Sequence, residues 1–126
     1  METQLMFETD KLGSLLLQRR QIEDYGGTTS PSFNQWVKEV RKEVRKVVKA
    51  NNGVLLSFSG KCHYFWSCFI QAANGQIWYI SCSDVRHFPD NDIMYRTAES
   101  DKDYTGGSNC NTAPGKLTKA IEKMLN

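Results

Sequence analysis

The most regular pattern in the chain is a stripe of apolar residues at helical spacing in its first half. The stripe advances in steps of three and four residues and comprises Phe33, Trp36, Val37, Val40, Val44, Val47 and Val48. One apolar stripe over about five turns predicts a long amphipathic helix. Ser32 and Gln35 form a capping-box signature at its start, and Asn51-Asn52-Gly53 supplies residues that tolerate the left-handed conformation at its end.

Two shorter helices are predicted, one on each side of this central part of the chain. Residues 9–23 carry leucines at loosely helical spacing, with Gly13 among them. Near the end of the chain, Thr112 is a candidate N-cap and Pro114 suits a first helical turn. The stripe that follows has the spacing i, i+3, i+4, i+7, i+8 and comprises Leu117, Ala120, Ile121, Met124 and Leu125.

The middle of the chain changes to patterns that are typical of strands. Residues 54–59 alternate, residues 62–72 are rich in aromatic and β-branched residues, and residues 93–98 predict a fourth strand. Asn74-Gly75 suits a two-residue type I′ turn between the second and third strands. Such a turn pairs Ile70 with Tyr79, and its register decides which side chains share a face.

With this register, both faces of the predicted sheet are apolar. One face carries Trp66, Ile70, Ala72, Ile77, Tyr79 and Val85, and the other carries Phe65, Phe69, Trp78 and Ile80. Two short helices cannot cover both faces, which favours a homodimer. The predicted fold class is α+β: a single domain over residues 31–126, with a central antiparallel sheet of three or four strands between a long amphipathic helix and a C-terminal helix. Residues 1–30 form an N-terminal extension or short helix.

Composition narrows the classes of protein to which the chain can belong. Its 126 residues, 40% hydrophobic and 24% charged, suit one soluble globular domain. No apolar run approaches the roughly 17 residues needed to cross a bilayer, and the acidic first ten residues do not resemble a secretory signal, so we expect a cytosolic protein. The four cysteines (Cys62, Cys68, Cys82 and Cys110) include no closely spaced pair. We therefore expect reduced thiols, no metal site and no cofactor.

The formal net charge of +2 conceals a strongly basic helix surface. Within residues 31–50, six cations face only two acids, a local net charge of +4. The six are Lys38, Arg41, Lys42, Arg45, Lys46 and Lys49, and we call them the basic face. Several lie four residues apart, where like charges repel. An anionic partner would relieve this repulsion, and a solvated surface screened by salt is the alternative. No recognised nucleic-acid-binding module accompanies the basic face.

A second candidate site follows the fourth strand. Its residues are Arg96, Thr97, Lys102, Asp103, Tyr104, Gly106, Gly107 and Asn109. An arginine fork beside a Gly-Gly segment can form a receptor for an oxyanion or phosphate. In the alternative interpretation Arg96 pairs with Asp84 or Asp103 and the two glycines only make a turn. Asp84 and His87 could serve as an acid-base pair, but no nucleophile lies at a recognisable offset, so we predict no catalytic residues.

Three segments in the last two thirds of the chain carry a resemblance. Residues 83–86 (Ser-Asp-Val-Arg), 95–98 (Tyr-Arg-Thr-Ala) and 102–109 (Lys-Asp-Tyr-Thr-Gly-Gly-Ser-Asn) are similar to segments of small proteins encoded by bacteriophages, prophages and conjugative elements of Gram-positive bacteria. The resemblance implies a setting, in the host cytosol, where such proteins often act in counter-defence in the manner of anti-CRISPR proteins.

These observations predict a non-enzymatic binding protein of a phage or mobile element. We expect it to inhibit a host defence system by binding an effector protein or an anionic nucleotide, with no membrane involved. The alternative is a nucleic-acid-binding accessory protein that acts through the basic face of the long helix.

Overall fold

A computed structural model describes residues 11–18, 31–60, 66–82 and 93–126 of the chain. The elements in order are α1 (Lys11–Gln18), α2 (Pro31–Ala50), β1 (Val54–Ser59), β2 (Trp66–Gln71), β3 (Ile77–Cys82), β4 (Ile93–Ala98), β5 (Cys110–Thr112), a 3₁₀ turn (Pro114–Lys116) and α3 (Leu117–Leu125). The strands form one sheet in the order β1-β2-β3-β4-β5, and each pairs antiparallel with the next. The predicted α+β class is confirmed, with five strands in place of three or four.

Helix α2 forms where the apolar stripe predicts it. Trp36, Val40, Val44 and Val48 are buried in the main core. The helix ends at Ala50, and two backbone hydrogen bonds of the Schellman type close its last turn around Asn52, which has φ 62°. The sequence signals for the body and the end of this helix are therefore confirmed.

The turn between β2 and β3 has three residues and not the predicted two. The N–H of Ala72 donates to the carbonyl of Gln76 at 2.9 Å, and the N–H of Gly75 donates to the carbonyl of Ala72 at 2.9 Å. Gly75 has φ 95°, which makes this a turn closed by one left-handed residue. Asn-Gly suits both turn lengths, because each needs a left-handed residue near the end of the loop.

The longer turn shifts the register by one residue and makes the predicted pairing wrong. Ile70 faces Trp78, and Phe69 faces Tyr79. Because side chains alternate along a strand, this slip exchanges the two faces of β3 relative to β2. The predicted sets of residues on each face were therefore wrong for β3, and Phe65 and Val85 lie outside the described residues.

The two faces of the sheet are consequently different in character. The first, the helix face, packs against α1, α2 and α3 and carries Trp66, Cys68, Ile70, Trp78, Ile80, Cys82, Ile93 and Tyr95. The second, the loop face, carries Ser67, Phe69, Ile77, Tyr79, Ser81, Met94, Arg96 and Ala98. Only the helix face is continuously apolar, so the argument for a homodimer from two apolar faces no longer holds.

Helix α1 belongs to the packed structure of the helix face. Leu12 and Leu16 are buried in the main core, and the indole N–H of Trp36 donates to the carbonyl of Leu15 at 2.7 Å. The remaining parts of the predicted helix, residues 9–10 and 19–23, lie outside the described residues. The described helices include none that is long and apolar enough to cross a membrane.

The C-terminal helix differs from its prediction only at its start. All five residues of the predicted α3 stripe are buried. Thr112 belongs to β5, opposite Ile93, and the turn at Pro114 starts from Ala113 without a side-chain cap. The predicted cap was therefore wrong, because pairing with β4 takes Thr112 into the sheet.

The described cysteines are free thiols. Cys68 and Cys82 are buried and Cys110 is exposed, while Cys62 lies outside the described residues. Burial raises the pKa of the Cys68 thiol well above its usual range. Among the described residues no group of three or more His, Cys, Asp or Glu could hold a metal ion.

Candidate functional site

The basic face lies on the side of α2 that is turned away from the sheet. All six of its residues are exposed. At 3.6 residues per turn they cover an arc of about 140°, and at 1.5 Å per residue the row from Lys38 to Lys49 is about 16 Å long. The six line a shallow depression of about 390 Å³. The helix folds this way because its valines and Trp36 face the sheet, which leaves the cations facing solvent.

One carboxylate lies at the edge of the basic face and is itself buried. Glu43 is 5% exposed, and its Oε2 lies 3.4 Å from Nζ of Lys46 and 3.4 Å from Nζ of Lys11 in α1. This oxygen accepts no hydrogen bond from the described residues, so the two ammonium groups are its counter-charges. Glu43 therefore joins α1 to α2 and neutralises part of Lys46. Glu43 and Lys46 lie three residues apart, a spacing at which opposite charges on a helix attract.

The other five cations of the basic face have no such partner. Lys38, Arg41, Lys42, Arg45 and Lys49 form no ion pair with any carboxylate in the described part of the chain. The remaining acid of α2, Glu39, accepts a hydrogen bond from Gln35 at 3.4 Å. Within the described part of the chain, the repulsion predicted along this surface is thus left largely uncompensated.

The second candidate site centres on a buried arginine. Arg96 is 3% exposed, on the loop face of β4. Its Nη2 donates to the carbonyl of Asp103 at 2.7 Å, and its Nη1 donates to the carbonyl of Thr97 at 3.2 Å. The guanidinium lies 4.7 Å from the ring centre of Tyr79, its neighbour on β3. The guanidinium group is therefore held by partners within the protein and does not face solvent.

The carboxylate of Asp103 fills the concavity that was predicted to receive an anion. Its Oδ2 accepts the N–H of Glu99 at 3.0 Å, and its Oδ1 accepts the N–H of Thr105 at 3.2 Å and of Gly106 at 2.8 Å. The hydrogen bond from Glu99 is the main reason why the pKa of Asp103 is lowered, helped by those from Thr105 and Gly106 and by Arg96. Nη1 of Arg96 lies 4.0 Å from Oδ2. The pairing of Arg96 with Asp103 corresponds to the alternative interpretation of this segment.

The other residues of this site are positioned around the same turn. Gly107 has φ 74°, and a Cβ there would lie 2.5 Å from the carbonyl oxygen of Thr97, so the turn requires glycine. Thr97, Lys102 and Asn109 are exposed. The structure thus gathers Arg96, the backbone carbonyl of Thr97, Asp103 and the Gly-Gly segment into one internal network, but not the exposed Lys102 and Asn109.

An aromatic cluster beside Arg96 was not predicted. Tyr104 is 62% exposed and places its ring edge on Phe69 and Tyr79, with ring centres 5.3 and 5.6 Å apart. The predicted register had placed Tyr79 on the opposite face from Phe69, which hid this cluster. Asn74-Gly75 is also compatible with a three-residue turn, and a prediction based on that turn would have placed Phe69 and Tyr79 on the same face.

The sheet separates the two candidate sites. Helix α2 packs on the helix face, whereas Tyr104, in the loop after β4, contacts Phe69 and Tyr79 on the loop face. The acidic residues of that loop therefore lie across the sheet from the basic face. Asp84, His63 and His87 lie outside the described residues. No family model, no curated protein and no solved structure matches the chain.

Proposed function

We propose that this chain is a non-enzymatic binding protein and that it binds an anionic partner through the basic face of α2. The observation that carries the proposal is the set of five exposed cations without a carboxylate partner among the described residues. Keeping like charges four residues apart costs a few tenths of a kcal/mol per contact in a helix. A bound polyanion would remove that cost and add attraction.

The Arg96 segment contributes structure to this proposal and not the contact itself. Two guanidinium nitrogens of Arg96 already donate to backbone carbonyls, and the Asp103 carboxylate occupies the N–H groups that would hold a ligand anion. An external anion would have to displace an internal one. The basic face needs no such displacement.

The proposed setting comes from the resemblance of residues 83–86, 95–98 and 102–109 to proteins of phages and mobile elements. In that setting we expect the protein to counter a host defence system in the cytosol by binding its anionic partner. A homodimer remains a prediction, with the apolar parts of the loop face as its remaining support. The basic face does not depend on it.

A pair of matched charge reversals tests the proposed surface. Arg41→Glu/Arg45→Glu changes the basic face, and Lys119→Glu/Lys123→Glu changes two exposed lysines of α3 by the same total charge. On a heparin column we expect the first variant to elute at much lower salt than the wild type and the second to elute close to it. Equal shifts for both variants would show that only net charge matters, and the proposed binding surface would then be wrong.

A further inference from the structure

We infer that the partner of the basic face is the phosphate backbone of a double-stranded nucleic acid, bound without preference for base sequence. This inference rests on the proposed function and names its ligand. Four observations on α2 support it: the absence of apolar groups from the surface, its length, the absence of aromatic groups and the absence of amide and hydroxyl side chains that read bases.

The composition of the surface argues against a protein as the partner. Protein interfaces bury an apolar or aromatic centre, and lysine is depleted in them. Four of the six residues of the basic face are lysines. The apolar residues of the same helix, Trp36, Val40 and Val44 among them, are buried against the sheet. What remains exposed is a charged surface without an apolar centre, which suits a ligand that offers only charge.

The length and the residue types of the surface fit a phosphate backbone. Its length of about 16 Å corresponds to roughly five phosphates along one strand of a duplex, which are spaced about 3.4 Å apart along the axis. The five cations without an ion pair among the described residues match that number. Arg41 and Arg45 lie one helical turn apart, and each can hold a phosphate with two parallel hydrogen bonds. A helix about 10 to 12 Å in diameter also fits a major groove about 12 Å wide.

A single strand is a poorer match than a duplex. Proteins that bind single strands combine a basic groove with aromatic side chains on which the bases stack. No aromatic residue occurs between Lys38 and Lys49. The exposed Tyr104 lies across the sheet, among the residues of the loop face. Among the described residues, the basic face therefore offers cations for a backbone and no aromatic ring for unstacked bases.

The same stretch lacks the amide and hydroxyl side chains that read base pairs. Asn, Gln, Ser and Thr, which hydrogen-bond to base edges, are absent between Lys38 and Lys49. Arg41 and Arg45 are the two residues there with a fork that could contact guanine. Contacts to phosphate position a protein without carrying sequence information. Binding should accordingly follow the charge of the duplex and not its base order.

The test is fluorescence anisotropy with a labelled 20-base-pair DNA duplex, titrated at salt concentrations between 50 and 200 mM. With five contacts, the slope of log K against log salt approaches −4.5, a weakening of up to about 500-fold over this range. Arg41→Ala/Arg45→Ala should reduce the slope to about −2.7, and Lys119→Ala/Lys123→Ala should leave it unchanged. Circular dichroism of each variant confirms that it remains folded.

Parallel probes separate this inference from the proposed function. A second DNA duplex of unrelated sequence should bind with an affinity within about threefold of the first. An RNA duplex of matching sequence shows which backbone is preferred, and a preference for either one supports the inference. A preference of tenfold or more for one sequence, or for the single strand, would overturn it. Polyglutamate binding that needs Arg41 and Arg45, without duplex binding, would overturn the inference and leave the proposed function standing. If the protein binds neither heparin, polyglutamate nor the duplex, both the inference and the proposed function are wrong.

Self-association is the remaining outcome. Acidic residues of a second copy could occupy the basic face, since Asp103 lies with Arg96 on the loop face of the sheet and the basic face lies on α2, which packs on the helix face. Sedimentation at low salt without nucleic acid tests this directly. Oligomers of the wild type that the duplex fails to dissociate, and that are absent in Arg41→Glu/Arg45→Glu, would contradict the inference. The same mass for the wild type and for Arg41→Glu/Arg45→Glu would support it.

Discussion

The basic face of α2 and the turn around Arg96 are both rich in charge, yet the structure treats them in opposite ways. Arg96 is 3% exposed and held by two backbone carbonyls, while Asp103 beside it accepts three backbone N–H groups. Arg45 on α2 is exposed and has no ion pair in the described part of the chain. A buried charge that has hydrogen-bond partners stabilises the fold. An exposed charge that lies beside like charges is available to bind a partner.

The comparison also explains how stability and binding divide between the two regions. Removing a satisfied buried charge leaves polar groups without partners, which destabilises the protein. Removing one cation from a crowded exposed row relieves repulsion. Changes in the two regions should therefore move stability in opposite directions, and only those on α2 should weaken binding to a polyanion.

The largest effect is expected from Arg96→Met, which keeps most of the side-chain stem and removes the charged donors. The carbonyls of Thr97 and Asp103 lose their hydrogen bonds and the stacking on Tyr79 is lost. We expect a loss of about 3 kcal/mol in the free energy of unfolding, measured in urea. The folded variant should still bind duplex DNA. If stability were unchanged and duplex binding were lost, the binding site would include Arg96.

A smaller loss is expected from Gly107→Ala. A left-handed conformation costs an ordinary residue about 1 to 2 kcal/mol, and the new Cβ would lie 2.5 Å from the Thr97 carbonyl oxygen. Gly75→Ala is the matched control, because Gly75 is also left-handed but has nothing within 4 Å of its Cβ position. Urea unfolding should show a greater loss for Gly107→Ala. Equal losses would indicate that the turn is not packed against β4.

The acid limb of stability should report the Asp103 network. Because the hydrogen bond from Glu99, followed by those from Thr105 and Gly106, lowers the pKa of Asp103 in the folded protein, the ionised form stabilises the fold. That stability is complete above the ordinary carboxyl pKa of about 4 and is lost as pH falls through the lower folded value. Asp103→Asn should flatten this part of the curve of urea midpoint against pH. A variant with the same acid limb as the wild type would exclude the network as its source.

The smallest effect, and the one with the opposite sign, is expected from Arg45→Gln. Arg45 lies four residues from both Arg41 and Lys49, so its removal relieves two like-charge contacts. We expect a gain of about 0.5 kcal/mol in the free energy of unfolding at low salt, together with weaker duplex binding. The gain should disappear at 1 M salt, where the Debye length is about 3 Å. A loss of stability at low salt would mean that Arg45 has an internal partner.

The amino-acid sequence by itself determined the elements whose signals are local. The apolar stripes of α2 and α3 depend on residues a few positions apart, so periodicity identified them. Strand β1 was also predicted, but its alternation was wrong, because a bulge between Leu55 and Ser57 places Leu56 with the loop-face cluster and Phe58 with the main core. The exposed cations of α2 followed from the same stripe. Strand β5 was not predicted, because three residues in a polar segment carry too short a pattern to recognise.

Only the tertiary structure decided the register of the sheet and the partners of its charges. Asn74-Gly75 is compatible with turns of two or three residues, and that one-residue difference decides whether Tyr79 shares a face with Phe69 or with Ile70. The sequence left Asp84 and Asp103 as alternatives for Arg96, because pairing depends on where the loop returns over the sheet. Burial of Arg96 and exposure of the α2 cations are both consequences of packing between distant segments, which local patterns do not contain.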